Sequence, residues 1–419
     1  MEDYLQLQEK TRGEKMTKLA IDGGEKIFST PAHLPAWPPV YPETAEKLKE
    51  IYLSRAWSFY GPQEVLFNQK FAEYTGAGFC AMMANGTVTL ELALKAFGIG
   101  PGDEVIVPAE TWLATGEAVV YRGATPVIVD IEPDTYCMDP DKFEEAITPR
   151  TKAVIPVHLF GSMANMDRIM EIARKHNIKV VEDCAHAHGS EWRGKHAGTI
   201  GDVGSFSFQQ SKTMASGEGG ACLTNDPELA EVLGRLSHIG YQYAAKQGQK
   251  GTPPPMELVC HNYRVTDFQA AILLGQLEHL KEDTILREKN AEYLRKRIDA
   301  LPGFKVQARG KEATLQGFYT FAFHMIPDQF KEGIDRVKVI NAITAEGFGC
   351  YAAWGGQPMY RQNLWSVPEN QYRIASNAVA EDLCTNRLIM ATNPWLMLDE
   401  KELAMVGDIF EKVMTAYGK

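Results

Sequence analysis

Apolar residues follow two recurring patterns along the chain. Four short runs, EVIVP (104–108), TPVIVDI (125–131), KAVIPV (152–157) and IKVVED (178–183), are rich in β-branched residues and apolar at successive positions. Strands covered on both faces read this way, so the runs predict buried parallel strands. Between them lie stretches with helical spacing. GTVTLELALKAFG (86–98) puts Leu90, Ala93, Leu94 and Phe97 on one face before Gly98 and Gly100 close it. MANMDRIMEIARKHN (163–177) places Met166, Ile169, Met170 and Ala173 at i, i+3, i+4 and i+7, the crossover between the last two strands. The fold class is therefore α/β, a mostly parallel sheet flanked by helices.

SFSF (205–208) and GACLTN (220–225) read as two further strands pairing outside the alternating part, which makes the sheet mixed. Residues 264–300 are crowded with good helix formers and i,i+4 charge pairs, one long or two shorter helices acting as a connector. Beyond them, strand-like GFYTFAFHMI (317–326) and helical DRVKVINAITAEG (335–347) and EKELAMVGDIFEKVMTAYG (400–418) predict a smaller C-terminal α/β domain. The expected division is an N-terminal arm at 1–31, a large domain at 32–275, and a connector helix with the small domain at 276–419. Residues 1–15 are polar, precede Met16 and the first organised stretch, TKLAIDGG, and receive no function.

Composition narrows the choice of partners. With 419 residues, 45% hydrophobic and 23% charged, the chain is an ordinary globular protein with room for two domains. A formal charge of -11 and the lack of any long Lys/Arg run argue against a protein that grips nucleic acid. Seven scattered cysteines without a CxxC suggest neither a disulfide framework nor a zinc site, and no apolar stretch is long enough to span a bilayer. The expected setting is cytoplasmic.

Ligands of open parallel sheets bind beyond the carboxyl ends of the strands, which directs attention to four places. ANGT (84–87) opens a helix whose first N–H groups, at Gly86 and Thr87, form a seat for phosphate; Asn-Gly at a helix start is also commonly only a cap. PAETW (108–112) ends a strand with Trp112, by default a packing residue but placed to stack on a planar ring. EDCAHAHG (182–189) supplies Asp183, a strand-end carboxylate able to hold a protonated ring nitrogen, followed by His186 and His188. Asp183, His186 and His188 also raise a second reading, a metal-dependent hydrolase, although no second cluster of ligand residues accompanies them. Finally, SFSFQQSK presents Ser207 on the strand face opposite Phe206 and Phe208, then Lys212 amid TMASGEGG, whose glycines permit tight turns and close approach. A phosphate seat, a stacking aromatic, a carboxylate for a pyridine nitrogen and a lysine are together the inventory for pyridoxal 5′-phosphate held as a Schiff base.

The segments ANGTVTLELAL, GDEVIVPAETW, VIPVHLFGSMANMD, VVEDCAHAHGS, GTIGDVGSFSFQQSKTMASGEGG and NYRVTDFQAAILLGQL resemble the DegT/StrS-type sugar aminotransferases, fold-type I pyridoxal phosphate enzymes. The resemblance implies a large domain with a seven-stranded type of sheet, and Lys212 as the catalytic lysine that binds the cofactor covalently. It implies Asp183 at the pyridine nitrogen, His186 at the phenolic oxygen, Trp112 on the ring, and Gly86, Thr87 and Ser207 at the phosphate. It also implies a homodimer in which Asn262 of CHNYR, from the other subunit, completes the phosphate site, with Cys260 where glycine is usual. The acceptor it implies is a keto-sugar or keto-cyclitol such as an inosose, aminated from glutamine or glutamate in aminocyclitol antibiotic-type biosynthesis. LPAWP (34–38) and AHAHGSEWRGK are as similar to 3-amino-5-hydroxybenzoate synthases, an aromatising alternative on the same cofactor.

Overall fold

The computed structural model describes residues 18–243, 251–255 and 258–419; the reading of residues 1–15 lies outside the described residues. The strands are β1 Phe79–Met83, β2 Glu104–Pro108, β3 Thr125–Val129, β4 Thr151–Val154, β5 Lys179–Asp183, β6 Glu191–Trp192 and β7 Lys195–His196. They continue with β8 Val203–Ser207, β9 Gly220–Thr224, β10 Phe304–Val306, β11 Ala313–Leu315, β12 Thr320–Met325, β13 Arg373–Ile374 and β14 Leu388–Thr392. One sheet has the order β1-β9-β8-β5-β4-β2-β3-β13. Pairing is parallel from β8 through β13, while β9 runs antiparallel to both β8 and β1. To the seven strands of the expected type the C-terminal part adds an eighth, the two-residue β13, at the edge beside β3.

Burial explains the runs that announce this sheet. Val105, Ile106, Val107, Val127, Ile128, Val129, Val180 and Val181 are all fully buried, so both faces of each strand are covered. The KAVIPV strand stops early, at Val154, and Ile155 to Val157 lead out of the sheet toward its carboxyl edge. Alternation in β8 divides its two faces. Phe206 meets Phe71 edge-on at 5.1 Å, and just beyond the strand Phe208 meets Phe67 at 5.5 Å. Ser205 on the other face bonds Thr89 of the Gly86–Ala96 helix at 2.7 Å. Burying each phenylalanine is worth roughly 1.5–3 kcal/mol, enough to hold the register that turns Ser207 toward that helix.

Residues 264–300 form two helices, Asp267–Leu277 and Leu280–Ile298, the first started by a Thr266/Gln269 capping box. A second sheet, β10-β12-β14, packs with the helices Leu280–Ile298, Arg336–Glu346 and Glu400–Tyr417 around Phe304, Phe321, Phe323 and Phe410. Leu19 and Phe28 join this second core, whereas Ala353, Met359, Tyr360, Ala380 and Leu383 pack with the first. A buried ion pair ties residues 20–27 to the second core. Lys412 Nζ lies 2.8 Å from Glu346 Oε1 and donates to the Glu25 carbonyl, and the Glu346 carboxylate accepts the N–H groups of Ala20 and Ile27. Among the described residues no helix is long and apolar enough to cross a membrane.

Candidate active site

The carboxyl ends of β1, β2, β5 and β8 open onto one cavity of about 1020 Å3. Gly86, Thr87, Trp112, Asp183, His186, Ser207 and Lys212 all line it. Asn262 does not: it is exposed, bridges to His238, and directly precedes Tyr263, which does reach the cavity.

The lysine owes its place to a hairpin. Beyond β8 the ladder continues through Phe208 N–H to the Gly219 carbonyl and Gln210 N–H to the Gly217 carbonyl, with Gly217 at φ +85° closing the turn. Lys212 stands at its tip, its carbonyl accepting from Trp37 Nε1 at 3.2 Å. The enclosing cavity disfavours the ammonium form, and the lysine pKa falls to about 8 although Asp183 pulls it upward.

Gly86 and Ser207 meet more closely than side chains allow. A Cβ on Gly86 would lie 2.7 Å from Ser207 Cβ and 3.2 Å from its Cα and Oγ, so only glycine lets the helix start abut the strand end. Asn85 Oδ1 accepts the Val88 N–H, capping the helix, while the N–H groups of Gly86 and Thr87 have no intrahelical acceptor. Two free donors at the positive end of a helix, with a hydroxyl beside them, make a phosphate cradle. The Asn85 cap thus leaves a helix start that fits a phosphate.

Asp183 ends β5 buried, its Oδ2 accepting from Thr115 Oγ1 at 2.9 Å and its Oδ1 from the Ala185 N–H at 3.1 Å. Burial raises its pKa against those two hydrogen bonds, which is the state of a carboxylate awaiting a cationic partner. His186 is held neutral, its pKa pushed well down by burial and then by Lys212. The Phe160 N–H donates to its Nδ1 at 3.4 Å, which leaves the proton on Nε2 as a donor. Trp112 is 42% exposed, and the exposed ring borders the cavity. A buried acid for a ring nitrogen, a neutral donor, an uncovered aromatic face and a phosphate cradle fit pyridoxal phosphate.

Three residues of the site escape the sequence reading. Thr115, in the helix after Trp112, orients Asp183. Tyr319 and Trp354 come from the C-terminal part; the glycines after Trp354 and the aromatic start of GFYTF are their faint traces in the sequence.

The metal reading of Asp183, His186 and His188 fails on geometry. Among the described residues the only potential ligand set is instead His158, Glu182 and Cys184. There the Glu182 carboxylate already accepts from Gly198, Ile200, Gly201 and His158, an arrangement that braces loops. Burial alone would raise the Glu182 pKa, but His158 and these N–H groups hold it below the usual range. His188 lies against Phe206 and Phe208, its pKa lowered to about 3 chiefly by burial, a neutral histidine of the core.

Comparison with known proteins shows the family. The profile of the DegT/DnrJ/EryC1/StrS aminotransferase family matches residues 40–410. The chain is 38% identical over 424 residues to the L-glutamine:2-deoxy-scyllo-inosose aminotransferase of Streptomyces kanamyceticus, covering 95% of this chain and 97% of the relative. The enzyme of the same name from Streptomyces fradiae is 36% identical over 422 residues, covering 95% and 98%. Among solved structures, an aminotransferase from Psychrobacter cryohalolentis superposes with a TM-score of 0.82 at 30% identity, covering 91% of this chain and 98% of that one. The 3-amino-5-hydroxybenzoic acid synthase superposes with a TM-score of 0.80 at 29% identity, covering 92% and 100%.

Proposed function

The chain belongs to the DegT/DnrJ/EryC1/StrS aminotransferase family, and we propose that it moves an amino group from glutamine to an inosose-type keto-cyclitol, using pyridoxal 5′-phosphate. The observation that carries this reading is near full-length similarity to glutamine:inosose aminotransferases, joined to a cavity fitted for the cofactor. The charge of the lining supports the acceptor class. Glu91 and Glu218 border the cavity, and Lys212 is the only Lys or Arg among the described lining residues, which suits an uncharged polyol ring better than a nucleotide-linked sugar.

The cofactor supplies an electron sink, its protonated ring taking up the electron pair left when the substrate carbon loses a proton. The protein's part follows from its own groups. Gly86 and Thr87 N–H and the Ser207 hydroxyl bind the phosphate. Asp183, steadied by Thr115 and Ala185, accepts the ring N–H and keeps that proton in place. His186 would offer its Nε2 proton to the phenolic oxygen, and Trp112 would stack on the ring. Lys212 would hold the cofactor through its Nζ, and because burial in the cavity lowers its pKa to about 8, its amine is suited to take up and give back a proton near neutrality. Asn262 from a second copy of the chain completes the phosphate pocket in a homodimer.

A donor-by-acceptor matrix tests the assignment: glutamine and glutamate against inososes, nucleotide keto-sugars and aminoshikimate. Turnover with glutamine and an inosose is the expected result. Turnover with aminoshikimate alone would replace it by the aromatising reaction, which the structural likeness at 29% identity keeps in view.

A further inference from the structure

The lysine and the histidine of this site are joined through one ring. Tyr319 stacks on His186 with centroids 4.1 Å apart and planes 19° from parallel. Lys212 Nζ stands 4.5 Å from the Tyr319 centroid, and the Tyr319 hydroxyl meets Ser211 Oγ, the neighbour of that lysine, at 2.8 Å. Phe160 also lies near His186, with centroids 6.0 Å apart and planes 9° from parallel. Lys212 and His186 therefore both contact the Tyr319 ring.

The backbone that delivers Tyr319 is strained and braced. Phe318, just before it, has φ 50°, a conformation costly for a bulky residue. Gly161 packs against the Phe318 backbone with no room for a Cβ. Fully buried Arg287 donates to the Gly317 carbonyl at 3.0 Å, and the Gly317 N–H donates to Ser190 Oγ at 2.9 Å. Strain kept under such bracing marks a position where the side chain's placement matters.

We propose that Tyr319 is a positioning residue that sets the Lys212 amine relative to the His186 imidazole and thereby controls proton transfer by Lys212. The proposal rests on the pyridoxal phosphate reading above. The ring face attracts the ammonium and orients it, while flat stacking fixes the imidazole plane. The ring should therefore matter far more than the hydroxyl.

The test uses the full chain loaded with pyridoxal phosphate, comparing Tyr319→Phe and Tyr319→Leu with wild type. Rates of the glutamine half-reaction are measured with protiated and α-deuterated donor, alongside the pH midpoint of the visible band, cofactor occupancy and melting temperature. Y319L should keep cofactor, slow the half-reaction by about tenfold or more, and show a larger isotope effect. Its band midpoint should fall by about half a pH unit or more, since the ring no longer favours the cation. Y319F should stay within about threefold of wild type in rate, the hydroxyl being secondary. If Y319L does not hold cofactor, Y319H replaces it, a ring that stacks but attracts the ammonium poorly, and must be slower than Y319F. Wild-type rate, isotope effect and midpoint in Y319L, or equal damage in Y319F, would overturn the proposal. Failure of wild type itself to react with glutamine would instead sink the aminotransferase reading.

Discussion

Replacing Gly86 by alanine separates helix propensity from site geometry. In an ordinary helix the change gains up to about 1 kcal/mol, because glycine gives up more backbone freedom. Here the added Cβ would lie 2.7 Å from Ser207 Cβ, and restoring an ordinary carbon contact of about 3.7 Å needs a retreat of about 1 Å. The obstacle is a strand residue at its root, with Cα at 3.2 Å, so no flexible side-chain tip can swing aside. Overpacking of this kind costs about 1–3 kcal/mol, which outweighs the propensity gain. The same retreat pulls the Gly86 and Thr87 N–H groups away from Ser207. Hydrogen bonds to a charged group are worth about 1.5–3 kcal/mol each, so losing one raises the cofactor dissociation constant by about tenfold to a hundredfold. Titrating apo protein with pyridoxal phosphate and following the visible band measures this, with apo melting temperatures recorded in parallel. A G86A protein that binds cofactor within twofold of wild type would refute the phosphate cradle.

Other consequences are open to direct measurement. Thr115→Val removes a bond to the Asp183 carboxylate, so the acid limb of the activity profile should move to higher pH and activity at neutral pH fall about tenfold. Capture of pyridoxal phosphate by apo protein requires the neutral Lys212 amine; its rate should climb with pH and level off above about 8, not near the ordinary lysine value, in stopped-flow traces. Lys412→Met leaves the Glu346 carboxylate buried without its cation and should cost about 3–5 kcal/mol in denaturant unfolding, with partial recovery on adding Glu346→Gln.

What could be read from the sequence, and what could not, follows from how each element is held. β2, β3 and β5 were visible because full burial on both faces leaves continuous apolar, β-branched runs. β1, with the sequence FCAMM, is apolar but has no β-branched residue and takes its strand form from pairing with β9. β13 is two residues long, too short for any periodicity. The residues at the site divide in the same way. Trp112 follows β2 and Asp183 ends β5, within the alternating pattern where the carboxyl-end rule points, whereas Gly86 was marked by its helix start and Ser207 and Lys212 by the alternation and glycines of their own segment. Thr115 lies one helical turn past Trp112 and has no local mark, since its role depends on where β5 ends. Tyr319 and Trp354 reach the cavity through backbone turns of positive φ at Phe318 and at Trp354 itself, and a side chain alone does not advertise such a turn. The DxxHxH pattern left two readings open for a related reason: sequence spacing placed His188 near His186, and packing against Phe206 and Phe208 makes it the core histidine rather than a metal ligand.

The most direct test of the central claim is a single series of absorbance spectra. The protein loaded with pyridoxal phosphate should be yellow, lose that band when glutamine is added, and regain it when 2-deoxy-scyllo-inosose follows, while Lys212→Ala should show neither change. A band that glutamine leaves untouched, or one that K212A still cycles, would contradict the assignment of Lys212 as the group that carries the cofactor and moves the proton.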